Sequence, residues 1–186
     1  ILVDMDVEAP DSAIFFKSEM DSILIREKKI PNWNAEKCIL CGKCQEVCNF
    51  NAIIKLVDEI YVFPELCHSC HACAVLCPEQ ALEMEGKRIG TTKTARIGLL
   101  TLIENRLDIG EEQAVPLIAQ SLNDLEAFDK KGKLIIMDAP PGTSCPLIEV
   151  SMEADLVILV AEPTPFGLHD LKLAYETIKK LGRKLA

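Results

Sequence analysis

The chain has 186 residues, of which 49% are apolar and 5% aromatic, and it carries a formal net charge of −9. The apolar share is enough for a core in one or two domains, and the acidic balance argues against nucleic acid or an anionic membrane surface as a partner. No apolar run reaches the roughly 18 residues of a membrane span, and nine cysteines without a charged-then-apolar leader argue against a secreted disulfide scaffold and for a reducing, cytoplasmic setting.

Ile1-Leu2-Val3-Asp4, followed by Met5-Asp6 and Pro10-Asp11, reads as a buried parallel strand whose carboxyl end delivers Asp4 and Asp6 to a crevice. With no methionine ahead of it and no earlier strand to pair with, it is expected to follow further residues upstream. Residues 12–30 mix apolar alternation with charge and close at Pro31, which predicts one or two strands leading out of a first domain.

Eight of the nine cysteines then fall in two copies of C-x2-C-x2-C-x3-C: Cys38, Cys41, Cys44, Cys48 and Cys67, Cys70, Cys73, Cys77. A shift of 29 residues superposes the copies and also carries Ala52 onto Ala81 and Ile53 onto Leu82, so this is a duplicated half-module. Three closely spaced thiolates can wrap one face of an iron-sulfur cubane and leave a corner for one more. Structural zinc is the rival, but zinc sites usually split their ligands into separated pairs. His68 and His71 are expected to tune hydrogen bonding to sulfur without ligating.

The run resembles the bacterial two-cluster ferredoxins, and the resemblance implies that the fourth cysteine of each copy reaches across. Cys38, Cys41, Cys44 and Cys77 would hold one 4Fe-4S cluster, and Cys67, Cys70, Cys73 and Cys48 the other. Pro78 follows Cys77 as in that motif, whereas Asn49 stands in place of the first proline, which predicts altered packing at that turn. Between the copies, 53–63 reads as a small hairpin around Asp58-Glu59. The α+β module is expected over 31–85, inserted into a discontinuous domain made of 1–30 and 86–186.

Beyond the module the pattern becomes α/β. Residues 95–103 predict a strand, 110–128 a helix with Glu111, Glu112 and Pro116 near its start, 133–138 a buried strand and 154–162 another. Residues 165–182 predict a helix with Leu168, Leu171, Ala174, Ile178 and Leu181 on one face, while His169 and Asp170 read as a solvated helix start. Alternating strands and helices imply a parallel sheet with right-handed crossovers, and another strand is expected after Ala186. Asp138 ends its strand and leads into Ala-Pro-Pro-Gly142-Thr143. Such a carboxylate can hold a nucleotide's Mg2+ and such a stiff turn can respond to a γ-phosphate; an ordinary strand end and turn would look the same.

Leu2-Val3-Asp4-Met5-Asp6, then Ile135-Ile136-Met137-Asp138-Ala139-Pro140-Pro141-Gly142, then Val160-Ala161-Glu162-Pro163-Thr164-Pro165 together resemble the MinD-like P-loop ATPases, kin of the nitrogenase iron protein. The match is closest to those carrying an inserted ferredoxin module. The resemblance implies a P-loop NTPase-like parallel sheet, ATP and Mg2+ as ligands, and a homodimer closing over nucleotide. It implies Asp6 in switch I positioning the attacking water, Asp4 supporting it, Asp138 as the Walker B carboxylate, and Gly142 and Thr143 in switch II.

One departure stands out. No G-x4-G-K-[ST] loop occurs, since the Gly-Lys pairs at 42, 86 and 132 are followed by cysteine, arginine and leucine. In the resembled family that loop precedes the strand ending at Asp4, so it is expected upstream, and base-reading residues are expected beyond Ala186. This chain alone is not expected to hydrolyse ATP. Cys145 reads either as a small buried residue or, by its distance from Asp138, as a counterpart of the cysteine that shares a cluster between subunits of the nitrogenase iron protein. With no second cysteine in 89–138 it is not assigned as a ligand. The expected function is ATP binding and hydrolysis coupled to electron transfer through two clusters to a redox partner protein. The alternatives are a simple ferredoxin-type carrier with a docking domain, or a scaffold for cluster and metallocofactor assembly.

Overall fold

The computed structural model describes residues 1–16, 21–128 and 132–186. In chain order the elements are β1 (Leu2–Asp4), a 3₁₀ turn (Ser12–Phe15), β2 (Ser22–Trp33), α1 (Lys43–Glu46), β3 (Ile53–Lys55), β4 (Ile60–Val62), α2 (Ala72–Val75), β5 (Leu82–Ile97), β6 (Leu100–Leu107), α3 (Val115–Ala127), β7 (Ile136–Asp138), α4 (Cys145–Met152) and α5 (Pro165–Lys180). The chain divides into two compact units, one of Ile1–Arg26, Gly90–Ile109 and Ala114–Ala186, the other of Glu27–Ile89 and Gly110–Gln113. Sequence reading drew its boundaries at 30/31 and 85/86. The units change over at 26/27 and 89/90, within the long strands β2 and β5.

The α/β class holds, but the sheet is mixed. Its order is β2-β5-β6-β1-β7, with β1 parallel to both β6 and β7 and β5 antiparallel to β6. The expected single strand at 95–103 is therefore a hairpin. Gly98 takes φ +61 and, with Leu99, makes a two-residue turn that brings Ile97 opposite Leu100, the arrangement favoured when glycine comes first in a tight hairpin turn. Pro31 does not close the strand before it. It lies inside β2, an outer strand of the sheet, where a missing N–H need not break a ladder. Of the predicted segment 12–30, residues 17–20 lie outside the described residues.

The later strands also differ. Only Ile136–Asp138 of 133–138 is strand, at the sheet edge with Ile136 half exposed. The segment 154–162 forms no strand beyond one parallel bridge from Val157 to Leu185, and Ile158 and Val160 are exposed. A strand is stabilised by its neighbours, and among the described residues this segment pairs only with the chain's last residues. The helix predicted at 110–128 starts at Val115, because Gly110 takes φ +86 and Glu111 is drawn into an ion pair before the first turn. Helix α5 matches its prediction: the Thr164 hydroxyl caps it, accepting from the Gly167 amide at 3.0 Å, and Gly182 ends it at φ +68.

In the first unit, α3 packs on β6 and α4, burying Leu117 and Ile118 completely with Leu122, Leu125, Leu147 and Val150 around them. Each such side chain contributes about 1.5–3 kcal/mol. A buried polar row crosses the strands: Arg26 Nε donates to Thr92 Oγ1 at 2.7 Å, Thr92 Oγ1 to Asn105 Oδ1 at 2.7 Å, and Asn105 Nδ2 to the Asp4 carbonyl at 2.9 Å. Arg26 also pairs with Asp124. The row fixes the end of β1 without leaving a buried donor or acceptor unmet.

In the second unit, Lys28 Nζ donates to Glu111 Oε1 at 2.8 Å with side chains 1% and 6% exposed, and to Gln113 Oε1 at 3.1 Å. Lys87 reaches the other Glu111 oxygen at 3.4 Å, and the Gln113 amide donates to the Glu65 carbonyl at 2.9 Å. These bonds explain why a four-residue segment distant in sequence belongs to this unit. Among the described residues no helix is long and apolar enough to cross a membrane.

Candidate functional site

The duplication legible in the cysteines extends to the backbone of the second unit. Left-handed conformations recur at the 29-residue shift: Leu40 with Ser69, Gly42 with His71, and Asn51 with Gln80. For a side chain other than glycine each costs about 1–2 kcal/mol, and such strain persists where the surroundings impose it, often at functional sites. Each copy follows with one helical turn, α1 or α2, that carries its third cysteine. The copies then swap: the Phe63 amide donates to the Ala52 carbonyl at 2.8 Å, and Asn34, its counterpart by the shift, donates to the Ala81 carbonyl at 2.8 Å.

This backbone turns amides toward sulfur. Leu40 N–H donates to Cys38 Sγ at 3.4 Å, and Ala52 and Ala81 donate to Cys48 and Cys77 Sγ at 3.3 Å each. All eight motif cysteines are free thiols. Cys38, Cys41, Cys44 and Cys77 line one cavity together with Trp33 and Pro78. On the other side, burial pushes the Cys73 thiol up to about 11, opposed by a bond from the Ala74 amide and reinforced by the neighbouring Cys67, Cys70 and Cys48. Burial likewise raises Cys44, against the Gln45 amide, with Cys38 and Cys41 adding to the rise. Cys73 belongs to an apolar cluster with Ile53, Ile60 and Leu82, against which Cys38 and Cys44 pack.

Two sequence expectations concern this backbone. The Asn49 turn keeps the backbone bonds of the Pro78 turn, Asn51 N–H to the Cys48 carbonyl at 3.3 Å matching Gln80 N–H to Cys77 at 3.2 Å, so the missing proline leaves the turn intact. The His68 ring stacks on Phe50 at 3.8 Å and 15°. His71 is the left-handed residue ahead of α2. Sequence reading missed Trp33, whose only signal was to be the single tryptophan and to sit just ahead of the first motif.

The second predicted site lies in the first unit. Register sets Asp4 abreast of Asp138 on β7 and of Glu104 on β6. Asp4 is fully buried, and its carboxylate accepts from the amides of Asp6 at 3.2 Å, Asp11 at 3.1 Å and Ser12 at 2.9 Å, so it holds the loop after β1 closed. Ser12 Oγ donates to Asp138 Oδ2 at 3.2 Å. Carboxylate oxygens of Asp4, Asp11 and Asp138 lie within 4.8 Å of one another. Asp11 and Ser12 thus join Asp138, because the loop turns back on the Asp4 carboxylate, and Asp6 lies near enough to add to the charge there. Gly142, at φ +92, and Thr143 are exposed beyond β7. Cys145, for which a small buried residue is one of two sequence readings, is exposed at the first residue of α4.

Loss of hydration raises the Asp138 carboxyl above the ordinary aspartate range; the Ser12 hydroxyl opposes the shift, and Asp4, Asp11 and Asp6 add to it. A folded value above the unfolded one means that its stabilising contribution is fully present below the unfolded value and is lost as pH rises through the folded value. Asp138→Asn is therefore expected to raise Tm at neutral pH, with a gain that shrinks as pH falls through the folded value. Because the residue is exposed and screened, the gain stays below about 1 kcal/mol. A 13C titration of the Asp138 carboxyl, with a midpoint above the ordinary ~3.9, checks the cause.

Comparison with known proteins agrees with the cysteine geometry. Residues 30–53 and 60–83 each match a 4Fe-4S binding domain. Two uncharacterized proteins of Methanocaldococcus jannaschii are 29% and 32% identical over 97% and 96% of this chain, which spans 65% and 62% of their lengths. An uncharacterized ferredoxin of the same organism is 43% identical over 25% of this chain and 66% of its own. Within a mixed α/β structure, the chain carries two ferredoxin-type 4Fe-4S domains.

Proposed function

We propose that this chain is an iron-sulfur electron-transfer protein in which Cys38, Cys41, Cys44 and Cys77 hold one 4Fe-4S cluster and Cys67, Cys70, Cys73 and Cys48 hold the other. The observation that carries the reading is the exchange between copies, with Cys77 in the cavity of the first motif and Cys48 beside Cys73 of the second. A bound cluster supplies a one-electron couple. The chain's own part is to gather four thiols at each site, to aim the amides of Leu40, Ala52 and Ala81 at sulfur, and to keep water out with Ile53, Ile60 and Leu82. Thiolates at each site favour iron-sulfur chemistry over harder ions. A redox partner protein is the expected donor or acceptor.

A second reading adds nucleotide control, and the gathering of Asp4, Asp11 and Asp138 at the carboxyl ends of parallel strands favours it. In that reading Asp138 takes Mg2+, Ser12 leaves it on metal binding, and Gly142 and Thr143 answer to the nucleotide in a homodimer. No G-x4-G-K-[ST] loop occurs in this chain, so nucleotide control is proposed only for a longer protein that supplies one.

Anaerobic reconstitution followed by iron, sulfide and EPR analysis tests the first reading. Iron and sulfide for two cubanes, with a reduced-state signal split by cluster-cluster coupling, is the expected result; a colourless protein holding zinc overturns it. For the second, Mg-ATP added to the longer protein should shift the cluster potentials, and absence of nucleotide binding would leave a simple electron carrier. Transfer of clusters to an apo-acceptor, without redox cycling, would instead indicate an assembly scaffold.

A further inference from the structure

Trp33, the chain's single tryptophan, ends β2 and lines the cavity of Cys38, Cys41, Cys44 and Cys77. With Cys38 and Cys44 it packs against the apolar cluster of Ile53, Ile60, Cys73 and Leu82. Among the described residues, its Nε1 is the buried side-chain nitrogen or oxygen that has no hydrogen-bond partner. Leaving a buried N–H unmet costs about 1–3 kcal/mol, and protein interiors keep such groups few. The thiols of Cys38, Cys41, Cys44 and Cys77 line the same cavity.

The two copies differ at this point. The 29-residue shift that matches cysteine to cysteine carries Trp33 onto Val62, whose side chain has no donor. The backbone donors, by contrast, are matched between copies at Ala52 and Ala81. Trp33 is therefore a side-chain donor present at one site and absent from its twin.

We propose that the Trp33 indole N–H donates to a sulfur of the cluster held by Cys38, Cys41, Cys44 and Cys77 and sets its reduction potential above that of the other cluster. The inference rests on the ligand sets proposed above. A hydrogen bond to sulfur strengthens as negative charge builds there, so it favours the reduced form, and the poorly hydrated surroundings amplify the effect. The indole keeps its proton and no covalent bond changes. An electron from a one-electron donor such as dithionite settles first at the site that Trp33 serves.

The test uses the whole chain, reconstituted anaerobically, as wild type and as Trp33→Phe, which keeps an aromatic ring and removes the donor. Iron and sulfide contents are measured first; if two cubanes are absent from wild type, the ligand reading has failed and this proposal falls with it. With clusters present, tryptophan labelled with 15N in the indole marks one position only, and pulsed EPR of partly reduced protein should show 15N coupled to the species reduced first. In Trp33→Phe the higher midpoint should fall by about 59 mV, a roughly tenfold loss in its reduction equilibrium, with the lower midpoint unmoved. No 15N coupling in wild type overturns the proposal even if the variant fails to fold. Unmoved midpoints, an equal fall in both, or a fall in the lower one alone overturn it too.

Discussion

Cys48→Ala should abolish the cluster of the second motif and spare that of the first, and Cys77→Ala should do the reverse. The iron content of each variant should fall to about half, and the magnetic coupling between reduced clusters should vanish in both. Ligation within each contiguous motif would give the opposite assignment. Trp33→Phe distinguishes the two, because it acts on the cluster that Cys77→Ala removes: its effect on the potential should persist in Cys48→Ala and be absent from Cys77→Ala. The physical basis is the pairing of Phe63 with Ala52 and of Asn34 with Ala81, which swaps the copies around a common apolar cluster. A fourth thiol carried just ahead of Ala52 or Ala81 consequently ends up with the other copy's three.

Glu111→Ala should destabilise the protein by about 3–5 kcal/mol, the usual result of stranding one member of a buried ion pair. Lys28 has a side chain 1% exposed and would keep only the Gln113 carbonyl oxygen at 3.1 Å, and Lys87 would lose its 3.4 Å partner. The double variant Lys28→Met with Glu111→Leu should recover most of the loss, since apolar groups of similar volume need no partners. Thermal unfolding followed both by circular dichroism and by loss of cluster absorbance checks this, and the two probes should move together because Glu111 and the cysteines belong to one compact unit. A loss below about 1 kcal/mol for the single variant would mean that the pair is solvated in solution.

The sequence alone determined the cysteine repeat, the positions of the hairpin at β3 and β4 and of helix α5, and the strand ends that carry Asp4 and Asp138. Those features are local: ligand spacing, a change from period 2 to period 3.6, and capping residues act within a few positions of chain. Tertiary structure decided what depends on neighbours distant in sequence. Residues 95–103 became a hairpin because β6 pairs with β1 on its far side, and 154–162 stayed largely unpaired because a strand needs partners that composition does not supply. Asp11 and Ser12 came beside Asp138 because three amides converge on one buried carboxylate. Trp33 gained its meaning only when β2 carried it to the cysteine cavity, since an unmet donor is a property of the surroundings and not of the residue.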